Sequence, residues 1–270
     1  MAPITPYQQE LNGQPIQLTD LSITAALNSG HFTAMQCRNG KIKGKRLHLR
    51  RLSSSSMLLF GCSVDDDSIL GYIRHMIFPG ESCSLRVHVF STAAYPGNIR
   101  PADLQVLVIK TKPAELQAPP VSAGTAVFER FLPQVKHAGI ATGLMYYKRR
   151  IQQAGFDDVL YTTASGEVSE GSIWNIGFFD GYSFVFPAAP ALNGIMLQLI
   201  TGGLERLDVP FQIKPIHKSA LHQYKFAFLM NSIATAHPIC RIDDFYFETD
   251  NDALALLKKA YAQWPWEEAG

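Results

Sequence analysis

The sequence predicts an α+β protein of two domains. Short β-rich runs bounded by turn pairs recur along the whole chain, and amphipathic helical runs are interleaved with them. One proline-rich stretch without periodicity, KPAELQAPPVSAG at 112–124, divides the 270 residues.

The first elements are local turn signals. QELNGQPIQL carries Asn12-Gly13 between two strand-like pieces, and HFTAMQCRNGKIKG carries Asn39-Gly40 in the same role, so both predict hairpins. LHLRRLSSSSMLLFG has apolar residues at 47, 49, 52, 57, 58 and 59, a helical spacing that persists despite four serines. DDSILGYIRHMIF predicts an amphipathic helix, with acidic residues and Ser68 as the N-cap candidate ahead of its apolar positions. SLRVHVF and LQVLVIKT predict strands on either side of the loop AAYPGNIRP. Residues 1–111 are thus expected to form a smaller α+β domain, 112–124 a linker, and 125–270 a larger α+β domain. In the latter, GIATGLMYYKRRIQQAG predicts a helix closed by Gly155. DVLYTT, IWNIGFF and YSFVF predict a meander with turns at Ser165-Gly166 and Asp180-Gly181. ALNGIMLQLI reads as a loop entering a helix, FQIKPI and KFAFLMN as strands, and NDALALLKKAYAQW as a terminal helix. A site in the cleft between the domains is the expectation from this organisation.

Composition narrows the function. With 47% hydrophobic and 17% charged residues the chain can bury a sizeable core, and a net charge of +1 offers no electrostatic argument for nucleic acid or an anionic membrane. Cys37, Cys62, Cys83 and Cys240 show no metal-ligand spacing and no disulfide framework, which fits a reducing cytoplasm. No uncharged apolar run of about 18 residues occurs, and MAPITPYQQELNG lacks the basic-then-apolar order of a signal peptide. The expected partner is a small molecule or a second copy of the chain, in the cytoplasm, with no metal.

Several residues could carry chemistry. Lys136, in FLPQVKHAGI, follows an apolar run and precedes a small-residue stretch; a desolvated lysine has a lowered pKa and attacks carbonyls. Glu170, in SEGSIWNIGFF, sits in a strand-like run where a carboxylate is costly unless it meets a cation or strong donors. Arg51 in HLRRL offers a guanidinium fork suited to phosphate. In ALNGIM a glycine before a helix start lets the backbone N–H groups of Ile195 and Met196 approach an anion. Ser232, in MNSIATAHPI, is a third candidate phosphate donor. Singly, each has an ordinary reading: a solvated lysine, a hairpin carboxylate, a basic helix face, an αL turn. Together they supply a lysine for a carbonyl, a carboxylate for a basic ring nitrogen and donors for a phosphate, which are the needs of pyridoxal 5'-phosphate.

On HLRRL, VKHAG, SEGSIWNIGFF, ALNGIM and MNSIATAHPI, the chain resembles the class IV aminotransferase family from about residue 9 to the C-terminal helix. That family contains branched-chain and D-amino acid aminotransferases and aminodeoxychorismate lyase. Lys136 and Glu170 stand 34 residues apart, the separation the resemblance leads one to expect between a Schiff-base lysine and a ring-nitrogen carboxylate. The resemblance implies a two-domain fold type IV pyridoxal phosphate enzyme, acting as a homodimer. It implies Lys136 as the catalytic lysine, Glu170 on the ring nitrogen, Leu192 against the ring face, and Asn175 supporting the Glu170 strand. Arg51, the Ile195 and Met196 amides and Ser232 would take the phosphate. The implied reaction moves an amino group from an amino acid or amine to a 2-oxo acid. The alternatives are an aminodeoxychorismate lyase-type reaction, toward which Met196 and Asn231 lean, and a non-catalytic cofactor-binding protein. Two departures stand out. Leu197 occupies a position where relatives often have a basic residue, and Ser91 stands where they often have a substrate-binding arginine, a role Arg100 or His31 could replace.

Overall fold

The computed structural model describes residues 8–17, 27–93, 98–114 and 119–269; parts of AAYPGNIRP and of the linker stretch lie outside the described residues. The chain forms two compact units, and the division is not a single cut. One unit comprises Met1–Ala114, Val135–Gly139 and Trp266–Gly270; the other comprises Glu115–Gln134 and Ile140–Pro265.

The first unit is built on β1 (Gln8–Leu11), β2 (Gln14–Pro15), β3 (His31–Arg38), β4 (Lys41–Lys43), β5 (Cys83–Ser91) and β6 (Leu104–Thr111). The C-terminal segment Trp266–Glu268 adds to the β4 edge, giving an antiparallel seven-stranded sheet in the order C-terminal segment, β4, β3, β5, β6, β1, β2. Asn12-Gly13 and Asn39-Gly40 form the two expected tight turns, all four residues at positive φ. Helices α1 (Lys45–Phe60) and α2 (Asp66–Met76) follow β4. The α2 cap is Asp65 rather than Ser68: the Asp65 carboxylate accepts the Ser68 N–H at 2.7 Å, which makes Ser68 the third residue of the helix.

Strand β3 alternates buried and half-buried positions, so that Met35 and Cys37 join Leu85, Val87 and Val89 of β5 in a core with Leu49, Leu52, Ile69 and Ile73 of the helices. Two of the serines that weaken the α1 helical pattern, Ser55 and Ser56, are buried against this core. Ser56 Oγ lies 2.8 Å from His31 Nε2, and His48 Nδ1 lies 2.6 Å from Thr33 Oγ1, so polar pairs as well as apolar packing seat α1 on β3.

The second unit contains β7 (Val121–Val127), α3 (Ala141–Gln153), β8 (Asp158–Thr162), β9 (Val168–Gly171), β10 (Asn175–Phe179), β11 (Phe184–Pro187), α4 (Ile195–Arg206), β12 (Phe211–Lys214), β13 (Phe226–Met230), β14 (His237–Ile242), β15 (Phe245–Tyr246) and α5 (Asn251–Ala262). Residues 121–124, expected in the linker, are the first half of β7, which pairs in parallel with both β8 and β14. The expected meander is present as β8 to β11. Because β10 also pairs with β9, the strands β10, β13, β14, β7, β8 and β9 close into a six-stranded barrel, with β11 and β12 continuing from β10. Each barrel strand contributes to one interior cluster, including Ala123, Leu160, Val168, Ile176, Leu229 and Ile239. Alternate residues of β13, Phe226, Phe228 and Met230, meet α4 and α5 instead, which is why FAFLM is apolar without a break. No helix among the described residues is long and apolar enough to cross a membrane.

Two consequences are measurable. A Cβ at Gly203 on α4 would run into the Ala260 backbone of α5, whereas one at Gly71 on α2 would meet nothing within 4 Å. In thermal or urea denaturation Gly203→Ala is expected to cost about 1–3 kcal/mol, while Gly71→Ala gains about 0.4–1 kcal/mol. The second concerns His48, whose pKa falls from 6.5 to about 3 through burial and then the neighbouring Arg51 charge. The unfolded imidazole takes a proton that the folded one refuses, so this contribution is intact above pH 6.5 and is lost as pH falls toward 3. His48→Gln should therefore flatten the pH dependence of stability by about 1.4 kcal/mol per unit between about pH 6 and pH 4.

Candidate active site

The barrel closes at the stretch SEGSIWN. One edge of β10 is paired along its length with β13. The other edge is divided, Asn175 pairing with Glu170 of β9 and Phe178 and Phe179 with β11. The connecting turn is tight, with the Gly171 N–H donating to the Trp174 carbonyl at 2.8 Å.

Glu170 is 4% exposed, so its charge has to be met inside the protein. Oε1 accepts from Arg130 Nη1 at 3.1 Å, and Oε2 accepts from the Leu192 N–H at 3.2 Å. The Arg130 side chain is itself 6% exposed. The cation and the donor that a buried carboxylate demands are therefore both present. Arg130 was not among the residues singled out from sequence. That rule calls for a cation but does not select one 40 residues away.

Asn175 completes the connection. Its Nδ2 donates to the Leu192 carbonyl at 2.8 Å, so both backbone groups of Leu192 are held by the Glu170–Asn175 pair. Gly194 has φ −59°, which removes the αL reading of ALNGIM; a side chain there would overlap Asn175 Oδ1, and close approach is what requires glycine. Helix α4 then starts at Ile195 with no side-chain cap, and the N–H groups of Ile195 and Met196 precede the first intrahelical acceptors. Leu197 packs against the core beside α5, so the position where relatives often have a basic residue serves packing in this chain. On the far side of β10, Asn175 faces Met230, and the loop that follows carries half-buried Ser232. Asn231 Oδ1 closes that loop by accepting from the Ile233 and Ala234 N–H groups at 2.9 and 3.0 Å. Glu170, Asn175, Leu192, Ile195, Met196 and Ser232 thus gather at one end of the barrel.

Lys136 and Arg51 belong to the first unit. The segment around Lys136 lies along the start of β3: the Phe32 N–H donates to the Lys136 carbonyl at 2.9 Å and the Ala138 N–H to the Gly30 carbonyl at 2.8 Å. Lys136 is half-buried, and its Nζ stands 5.0 Å from the centre of the Phe32 ring. Arg51 is half-buried on α1, one turn beyond His48.

The family model for amino-transferase class IV matches residues 30–242, and the chain belongs to that family. Solved structures agree in fold. The branched-chain aminotransferase from Thermoproteus uzoniensis, with norvaline, is 18% identical, with a TM-score of 0.82 over 98% of this chain and 100% of that one. A putative 4-amino-4-deoxychorismate lyase from Legionella pneumophila is 17% identical, with a TM-score of 0.78 over 93% and 96%. An aminotransferase from Brucella abortus, bound to the co-factor PLP, is 16% identical, with a TM-score of 0.77 over 88% and 89%. These likenesses define the two-unit α+β architecture as fold type IV. Against curated protein sequences the chain finds no significant match.

Removing Arg130 leaves Glu170 buried without its cation. Arg130→Met is expected to lower stability by about 3–5 kcal/mol. The Arg130→Met/Glu170→Gln pair should lose clearly less than the sum of the two single changes in a urea-denaturation cycle; strict additivity would refute the pairing.

Proposed function

We propose that this chain is a pyridoxal phosphate-dependent aminotransferase that moves an amino group from an amino acid or amine to a 2-oxo acid. The observation that carries the reading is the buried Glu170 carboxylate, charge-matched by Arg130 and tied to the loop that opens α4. Family membership and the PLP-bound relative from Brucella abortus support it. The residues also fit such a group. Ser172 Oγ, Trp174 Nε1 and Thr162 Oγ1, in the closing turn and on the strand beside it, are buried without a partner, as expected where a polar ligand completes the site. A carboxylate accepts up to about four hydrogen bonds, which leaves Glu170 capacity for a ring N–H.

When bound, pyridoxal phosphate supplies a carbonyl for amines and a ring that takes up the electron pair of a broken C–H bond. The chain's own residues do the rest. Lys136 Nζ would be the point of attachment, and it would take and return the proton of the substrate carbon. Glu170 would face the ring nitrogen and accept its proton in a hydrogen bond, with Arg130 paired to Oε1 at 3.1 Å. Arg51, the Ile195 and Met196 N–H groups and Ser232 would hold the phosphate. With Leu197 apolar, Arg51 carries more of the countercharge. Leu192 would pack against the ring, and Asn175, donating to the Leu192 carbonyl at 2.8 Å, keeps Leu192 in position. A lyase reaction on the same residues is the second reading, favoured by Met196 and by the fold match to the putative lyase from Legionella pneumophila. A homodimer is expected by analogy with the family and is read from sedimentation.

The purified protein should be yellow and, after borohydride reduction, carry the cofactor on Lys136; a colourless chain that cannot be reconstituted would sink the proposal. Glu170→Gln should retain the cofactor and lose at least about 100-fold in amino transfer, within the range a missing electrostatic group removes. A donor screen separates the two reactions: a transferase stops after one half-reaction until a 2-oxo acid is added, whereas a lyase turns over a single substrate.

A further inference from the structure

All four cysteines are free thiols, but their settings differ. Cys62 and Cys240 are half-buried, each resting its Sγ 3.7 Å from a backbone carbonyl, that of Ile99 and of Pro120 respectively. Cys37 and Cys83 are buried, at 0% and 2% exposure, and they face each other. They are direct cross-strand partners, the last register pair of β3 with β5, and both point into the core beneath α1 and α2. Opposed residues of an antiparallel pair have Cα atoms about 4.5–5.5 Å apart, inside the range of about 4.4–6.8 Å that a disulfide spans. No strand has to move for the two sulfurs to join.

The thiols already touch. The Cys83 S–H hydrogen-bonds to the Cys37 sulfur, which the Gly40 N–H also approaches as a donor, and the Cys37 thiol lies 3.5 Å from the Glu81 carbonyl. Burial raises both pKa values, that of Cys83 to about 12. The two donors aimed at Cys37 work against its own rise, so Cys37 is the sulfur that ionises first. The pair also stands near an end of the sheet. One residue beyond Cys37 the chain enters the turn at Asn39, which is exposed, and the next strands outward are β4 and the C-terminal segment, of three residues each. Gly40 is fastened there by its N–H to the Glu81 carbonyl at 2.7 Å and by its carbonyl to the Ala269 N–H at 3.1 Å. Short strands at a sheet edge open locally at far lower cost than the whole domain, which gives a small oxidant a way in.

We propose that Cys37 and Cys83 form a redox-active dithiol, a modification site at which hydrogen peroxide closes a disulfide between β3 and β5. The Cys37 thiolate attacks one peroxide oxygen; an S–O bond forms, the O–O bond breaks, and the departing hydroxide takes up the proton that Cys37 released. The Cys83 sulfur then displaces the oxygen from Cys37; the S–S bond forms, the S–O bond breaks, and the leaving hydroxide departs as water with the Cys83 proton. Two thiols have lost two electrons and two protons, and the peroxide has become two waters. Because the second thiol is already in contact, it captures the sulfenic acid before irreversible oxidation, and the core keeps its shape. None of this depends on the cofactor.

The test is oxidation of the reduced, folded, full-length protein with excess hydrogen peroxide, followed by catalase, denaturation, alkylation and peptide mass mapping. A peptide pair joined through residues 37 and 83 is expected, lighter by two hydrogens than the sum of its parts and separated again by dithiothreitol. The Cys62→Ser/Cys240→Ser variant, which keeps only the buried pair, should go from two alkylatable thiols to none with the same link. Cys83→Ala should instead accumulate oxygen on Cys37. The proposal is overturned if Cys37 and Cys83 stay alkylatable in the peroxide-treated protein, if they gain oxygen separately without linking, or if the link forms only when oxidation is carried out in urea.

Discussion

A carboxylate buried to 4% exposure is the constraint on which the second unit is organised. Glu170 is tolerable only because Arg130 meets one oxygen and the Leu192 N–H the other. Satisfying it has structural consequences beyond charge. Glu170 pairs with Asn175 where the barrel closes, and Asn175 holds the other backbone group of Leu192. The Asn175 amide then presses so close to residue 194 that only glycine fits, and α4 begins at the next residue. Closing the barrel, neutralising the carboxylate and aiming the helix start are one arrangement of side chains, which any ligand bound there inherits in pre-organised form.

In the first unit β3 divides its labour by face. Its odd positions carry packing, with His31 and Thr33 making polar pairs to α1 and burial holding the imidazoles neutral. Its even positions leave Phe32 to meet Lys136, Arg86 and His88. The period-two geometry of a strand makes this possible: adjacent residues look into environments of opposite character, so a rigid core can support a chemically open surface one residue away.

The parts of this organisation that depend on neighbouring residues were legible in the sequence. The Asn-Gly turns, the helix over LHLRRL, the strand runs and the Gly155 helix end follow from φ preferences and side-chain periodicity within a few residues. Where two local readings compete, legibility falls. Ser68 and Asp65 are both acceptable caps, and which one lies outside the helix depends on where the backbone starts to wind. Residues 121–124 look like linker because their pairing partners, around 158 and 239–242, are far along the chain. The C-terminal segment Trp266–Glu268 escaped notice for the same reason, since its partner strand is β4.

By itself the sequence determined the α+β class, the succession of elements and, through the resemblance carried by HLRRL, VKHAG, SEGSIWNIGFF, ALNGIM and MNSIATAHPI, the family. Those are properties of local preference and of linear pattern. Only the tertiary structure decided that the sheet around Glu170 closes into a barrel, that Arg130 is the cation it meets, that Gly194 answers to a crowded neighbour rather than to a left-handed turn, and that Arg100 is paired with Asp103. Each of these depends on groups brought within a few ångströms from distant parts of the chain. There electrostatics and excluded volume act through space, and sequence separation carries no trace of them.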